Sequence, residues 1–207
     1  MTLYFDLHPD NPQPRYIAKA AEIIRAGGLI VYPTDSGYAL GCHIGDKKAL
    51  DRIRQIRKLD KKHNFTLICR DLSELANFAR VDNSSYRVIR NHTPGPYTFI
   101  LRASPEVPKR LQHPKKKTIG IRVPDNAIAL AILEELNEPL MSTSLIMPGE
   151  DFTLVEEDEI HQLLDGRVDL IIHGGHTSDM PTTVVDMMDG FPQVLRVGAG
   201  NPEEFES

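Results

Sequence analysis

The chain has 207 residues, of which 41% are hydrophobic and 26% charged, with a net charge of -5. A chain of this length buries roughly 70% of its unfolded surface as one compact unit, so residues 1–207 are read as a single domain. The longest apolar run falls far short of the ~20 residues that cross a bilayer, and the N-terminal stretch has no basic segment ahead of an apolar one; a membrane partner and export are excluded, and a cytoplasmic location is expected.

Pro9, Pro12 and Pro14 punctuate an extended start. Ile17, Ala20, Ala21, Ile24 and Ala26 then recur at helical spacing, and Gly27-Gly28 closes the helix. Leu29-Ile30-Val31-Tyr32 is an unbroken apolar run that reads as a buried central strand stopped by Pro33. Beyond it a loop to Gly41 offers Thr34, Asp35, Ser36 and Tyr38, with Gly37 and Gly41 letting backbone amides approach a ligand. Asp46 is placed to cap a helix reaching about Leu59, with Ala49, Leu50, Ile53 and Ile56 as its apolar stripe. Residues 58–64 form a basic connection to a second buried strand at 65–69.

Two short amphipathic helices follow, one starting at Asp71 or Ser73 and one at Asn83, and Pro94-Gly95-Pro96 makes a rigid turn into a strand at 97–101. The stretch 105–117 reads as an irregular surface connection, 118–123 as a strand ending at Pro124, and Asp125 as the cap of a helix to about Leu136. A short strand at 140–144 has a hydroxyl-rich end, an acidic helix spans 156–164, and a buried strand at 168–172 runs into His173-Gly174-Gly175-His176. Residues 181–186 and 193–197 complete the sheet. About seven strands interleaved with helices predict an α/β (mixed α+β) fold of three layers, a mixed sheet with helices on both faces.

Charge is unevenly spread. Residues 47–62 carry Lys47, Lys48, Arg52, Arg54, Arg57, Lys58, Lys61 and Lys62 against Asp51 and Asp60, while 109–122 carry Lys109, Arg110, Lys115, Lys116, Lys117 and Arg122 with no acid. Two basic blocks in an acidic chain point to a local anionic partner. Thr34, Tyr38, Arg57, Arg122, Ser144, Thr182 and Thr183 all fall at or just beyond element ends, a set that suits a phosphate or carboxylate. Arg122, alone on an apolar strand, fits either an anion-binding arginine or a structural ion pair. Cys42 and Cys69 offer neither a zinc knuckle nor a disulfide framework, and His173 and His176 have no third ligand of matching type nearby, so no metal site is expected. With no Ser-His-Asp order, paired carboxylates or Cys/His pair in view, any catalysis falls to positioning and charge stabilisation, as in nucleotidyl transfer.

Five motifs occur in order: Pro33 to Gly41 (Pro-Thr-Asp-Ser-Gly-Tyr-Ala-Leu-Gly), Pro94 to Leu101 (Pro-Gly-Pro-Tyr-Thr-Phe-Ile-Leu), Gly120 to Asp125 (Gly-Ile-Arg-Val-Pro-Asp), Ser142-Thr143-Ser144, and Pro181 to Asp186 (Pro-Thr-Thr-Val-Val-Asp). Over nearly the whole chain this series resembles the YrdC-like family. The resemblance implies a twisted mixed sheet with a positively charged concave cavity. It also implies an enzyme that joins L-threonine, bicarbonate and ATP into threonylcarbamoyl-AMP and pyrophosphate for tRNA modification. ATP is then a substrate with magnesium, and no tightly bound cofactor is expected. The same fold has been associated with double-stranded RNA binding, so a non-catalytic tRNA- or double-stranded-RNA-binding module is the second expectation and a small-molecule sensor the third.

By this resemblance Thr34 and Tyr38 help hold threonine, and Arg122 takes a carboxylate or phosphate. Ser144, Thr182 and Thr183 hydrogen-bond substrate groups, with Ser142 and Arg196 beside them in the substrate-binding set. The family's Lys-x-Arg followed by Pro falls on Arg57-Lys58-Leu59-Asp60, and its Ser-x-Asn falls on Ser144-Leu145-Ile146, so Leu59 and Ile146 stand where polar side chains are expected and weak activity is implied. Arg57, Lys58 and Ser144 are the expected catalytic groups, with Lys58, Lys61 or Lys62 reaching in for the missing arginine. Lys61, Lys62, Lys115, Lys116 and Lys117 are the expected RNA contacts.

Overall fold

The computed structural model describes residues 1–60 and 62–205; Lys61 lies outside the described residues. The first half of the chain forms β1 (Leu3–Asp6), α1 (Pro14–Arg25), β2 (Ile30–Thr34), β3 (Gly37–His43), α2 (Lys47–Arg57), β4 (Thr66–Ile68), α3 (Leu72–Phe78), β5 (Ala79–Arg80), α4 (Asn83–Asn91) and β6 (Tyr97–Ala103). The second half forms β7 (Thr118–Arg122), α5 (Ala127–Leu136), β8 (Leu140–Ser144), α6 (Glu157–Leu164), β9 (Leu170–His173), β10 (Thr183–Asp186) and β11 (Gln193–Arg196).

Local chemistry sets the helix boundaries. Pro14 opens α1, where its missing N–H costs nothing. The Asp46 carboxylate accepts from Ala49 N at 2.8 Å to cap α2, and Lys58 closes that helix in the left-handed region at φ 51°. The cap of α5 is Asn126, accepting from Ala129 N at 3.0 Å; the expected capping residue, Asp125, instead donates its backbone N–H to Asp35.

All the strands join one mixed sheet in the order β1-β9-β2-β3-β8-β4-β7-β6-β10-β11, with β5 pairing β6 at the side. The α/β class holds, but the sheet has 11 strands among the described residues instead of about seven. The largest difference lies at residues 29–43. Pro33 does not stop the strand: it belongs to β2, paired with Tyr38 of β3. The parallel partner β9 is in register with β2 only at Ile30 and Val31, so Pro33 lies past the point where a ladder would need its N–H. What reads as a ligand loop is a tight turn followed by β3, which is buried between β2 and β8. The turn needs its glycine: Gly37 has φ 105°, and a Cβ there would lie 2.2 Å from Thr153 Oγ1. Gly37→Ala should therefore cost more than about 1 kcal/mol, read as a lower denaturant midpoint; an unchanged midpoint would contradict the account of this turn.

Strand alternation sends side chains to two apolar layers. The larger contains Val31, Tyr38, Leu40, Phe99, Ile121 and Val185 from the sheet and Leu29 just before β2, packed with Leu50 and Ile53 of α2, Leu75 of α3, Ile89 of α4 and Ile160 of α6. The smaller contains Ile30, Tyr32, Ala39, Leu140, Leu170 and Ile172, packed with Ile17, Ala21 and Ile24 of α1 and Ile128, Ile132 and Leu133 of α5. The smaller layer includes no residue of β6, β7 or β10. Helices thus back the sheet along one face, whereas on the other α1 and α5 reach only part of it, and the uncovered strands carry polar side chains.

Candidate functional site

On that uncovered area a cavity of about 260 Å³ is lined by Thr34, Arg57, His63, Asn64, Thr66, Thr98, Arg122, Ser142, Thr143, Ser144, Thr182 and Arg196, with Ala39, Ile68, Ile100, Ile146, Val184 and Leu195 between them. Period-two alternation explains the contribution of β6: Thr98 and Ile100 point here while Tyr97, Phe99 and Leu101 enter the larger core.

Three guanidinium groups converge on the cavity. Arg122 is only 4% exposed; it forms an ion pair with Asp35 and donates from Nη1 to Ser36 Oγ at 2.8 Å. Its Nε is buried without a hydrogen-bond partner among the described residues. Asp35 also accepts from Asp125 N at 3.0 Å, so the turn after β2 clamps the arginine in place. Arg57, at the end of α2, donates from Nε to Ile146 O at 2.8 Å and from Nη1 to Thr143 Oγ1 at 2.6 Å. Burial, helped by nearby Arg196, lowers its pKa to about 10, which leaves it charged at neutral pH. Arg196 donates from Nη2 to Thr182 O at 2.8 Å, and burial lowers its pKa too. His63 is pushed down to about 4, first by burial and then by Arg57, so its imidazole is neutral at pH 7.

Hydroxyls fill the gaps between the cations. Tyr32 Oη lies 2.6 Å from Ser142 Oγ, which donates onward to Leu40 O at 3.0 Å. Thr98 Oγ1 and Thr182 Oγ1 are 2.8 Å apart. Ordered donors around a cationic centre can hold a carboxylate or phosphate and stabilise negative charge that develops on it.

Of the residues expected from sequence, Thr34, Arg57, Arg122, Ser142, Ser144, Thr182 and Arg196 meet at this cavity. Tyr38 does not line it: alternation turns the ring into the larger core, where Oη donates to Gly175 O at 3.3 Å. Thr183 is fully buried on the opposite face, in register with Tyr97, and donates to Gly200 O at 2.5 Å. Lys58 is exposed on its left-handed cap and is absent from the lining. Leu59 packs against the larger core, whereas Ile146 faces the cavity. Lys62, Lys115 and Lys117 are exposed and line neither this cavity nor its neighbour. Lys116 lines that neighbour, a space of about 440 Å³ shared with Arg102, His113, Asp186 and Asp189. His173 turns away from the exposed His176 and meets His161 at 2.5 Å between Nε2 atoms; no group of three or more His, Cys, Asp or Glu able to hold a metal ion gathers among the described residues. No described helix is long and apolar enough to cross a membrane.

Sequence reasoning did not single out His63, Asn64, Thr66, Thr98 or Thr143. Alternation in the strands at 65–69 and 97–101 carried the signal for Thr66 and Thr98, because each stands opposite an apolar core neighbour.

A family model for Sua5, YciO and YrdC, described as telomere recombination, matches residues 22–198. The chain is 57% identical over 205 residues to the uncharacterized protein YciO of Escherichia coli strain K12, covering 99% of this chain and 100% of the relative. The crystal structure of E. coli YciO superposes with a TM-score of 0.97 at 56% identity, covering 99% of this chain and 100% of that one. The threonylcarbamoyl-AMP synthase of Bacillus subtilis strain 168 is 27% identical over 204 residues, 98% of this chain but 58% of the synthase. P. abyssi Sua5 complexed with L-threonine gives a TM-score of 0.90 at 26% identity, covering 99% of this chain and 60% of that one.

Proposed function

The chain belongs to the Sua5/YciO/YrdC family, and from that premise we propose that it joins L-threonine, bicarbonate and ATP into threonylcarbamoyl-AMP and pyrophosphate, with magnesium accompanying the nucleotide and tRNA modification as the destination of the product. The observation that carries the reading is the convergence of Arg57, Arg122 and Arg196 with a hydroxyl wall on one cavity. The reaction brings together a carboxylate, bicarbonate and a polyphosphate, and it develops charge at the α-phosphate as pyrophosphate departs. Fixed guanidinium groups suit each of those needs. The distant likeness to a threonylcarbamoyl-AMP synthase and to a Sua5 complexed with L-threonine supports the substrate class.

The geometry supports the following roles. Arg57, held by Thr143 and Ile146, stabilises phosphate charge; Arg122 binds an anion through the face left free by Asp35; Ser144, Thr182 and Thr34 orient the amino acid and the carbamate. Lys58 has no part in this scheme. Ile146, where the family motif places an asparagine, leaves one donor fewer around the developing charge, so turnover is slow. Incubation of the protein with labelled L-threonine, ATP, bicarbonate and magnesium should yield labelled adenylate and pyrophosphate in equal amounts. Absence of both, together with salt-sensitive affinity for duplex RNA, would replace this reading with the binding module.

A further inference from the structure

We propose that His63 accepts the proton that the amino-acid substrate must lose, an inference that rests on the carbamoyl-adenylate reading. Carbamate formation from an ammonium and bicarbonate releases one proton. Among the described residues that line the cavity, the ionisable groups are Arg57, Arg122, Arg196 and His63. A protonated guanidinium has donors only and offers no acceptor for a proton. Asp35 is absent from the lining and is held by Arg122 and by Asp125 N. The imidazole is what remains.

Its surroundings fit the task. The ring stands edge-on to Phe65, with centroids 5.3 Å apart and planes at 75°, which fixes its orientation. Neither ring nitrogen is hydrogen-bonded to a described residue, and the side chain borders the cavity. Burial and the charges of Arg57, Arg196 and Arg54 keep the free ring neutral, with Asp60 opposing them. A bound carboxylate and bicarbonate offset those cations and raise the basicity of the ring when the substrates are present.

The step balances as follows. Of the three ammonium protons, one passes to the His63 ring, one leaves in water together with the hydroxyl of bicarbonate, and one stays on nitrogen. The freed lone pair forms the N–C bond as the C–O bond breaks. A carbamate oxygen then attacks the α-phosphorus, the bond from that phosphorus to the bridging oxygen breaks, and pyrophosphate leaves. His63 returns its proton to solvent before the next turnover.

The test compares the wild type with His63→Gln and with His63→Ala, the latter with and without added imidazole, following labelled adenylate from pH 5 to 9 and threonine binding by calorimetry. His63→Gln should lower kcat by about 10²- to 10⁴-fold and remove the acid limb of the pH profile, with threonine affinity held within about twofold. Imidazole should restore part of the His63→Ala rate, which a merely structural role would not allow. A His63→Gln enzyme with wild-type kcat and the same acid limb would overturn the proposal while leaving the proposed reaction standing. If the wild type itself makes no adenylate, the reaction and the proposal fall together.

Discussion

Replacing Arg122 by alanine should abolish nucleotide and amino-acid binding and also lower stability by about 3 to 5 kcal/mol, the usual loss when one member of a buried ion pair is removed. The two effects have separate origins. Arg122 is 4% exposed, and its departure leaves Asp35, whose side chain is 12% exposed, without its counter-charge and with only Asp125 N as a close donor. Binding is lost because one of the three guanidinium groups lining the cavity is gone. The double substitution Asp35→Leu/Arg122→Met separates them: removing both charges with similar volumes should recover most of the stability and none of the binding. Arg122→Lys keeps a charge but cannot serve Ser36 and Asp35 in the forked geometry, so its affinity should fall by roughly ten- to a hundredfold, one charged hydrogen bond's worth. Calorimetry with ATP and with threonine reads the first effect and denaturant melts the second. Wild-type affinity in Arg122→Ala would remove this residue from the site.

The sequence left two readings of Arg122 open, an anion-binding arginine or a structural ion pair, and the geometry shows why neither could be discarded. The partner, Asp35, comes from the turn between β2 and β3, far away in sequence, and only the sheet order β3-β8-β4-β7 with its registers brings that turn to the end of β7. Local signals were readable where physics is local: the Asp46 cap, the apolar stripe of α2 and the buried run at β2 all came from spacing. The strand at 37–43 was not readable that way, since its glycines and small residues imitate a loop, and it exists because β2 and β8 pair with it on both sides. Tyr38 and Thr183 went astray for a related reason. Both lie in genuine motifs, but a motif names a stretch of backbone, and a one-residue step along a strand moves a side chain to the opposite face. Thr182 faces the cavity and Thr183 the core. His63 sits in a charged connection that reads as solvated, and only the packing of Phe65 and the approach of Arg57 make it a neutral group in the wall.

The same logic separates the two altered motif positions. Ile146→Asn should raise the rate of adenylate formation at least tenfold, approaching the 10²- to 10³-fold that a single oriented donor to a developing oxyanion contributes. The side chain at 146 already lines the cavity, and its backbone carbonyl anchors Arg57 Nε at 2.8 Å, so an amide there would enter beside a cation that is fixed in place. Leu59→Arg should give no such gain. Leu59 packs against the larger core, on the other side of the sheet, so a guanidinium at that position must either be buried there or swing to solvent, losing about 1 to 3 kcal/mol of packing. Steady-state rates for the two single variants and the double variant, with melts alongside, distinguish the contributions. The double variant should match Ile146→Asn in rate and Leu59→Arg in stability, because the two side chains lie on opposite faces and share no partner. A rate gain from Leu59→Arg alone would mean that the connection after α2 can turn its side chains into the cavity, beside Arg57 at the end of that helix.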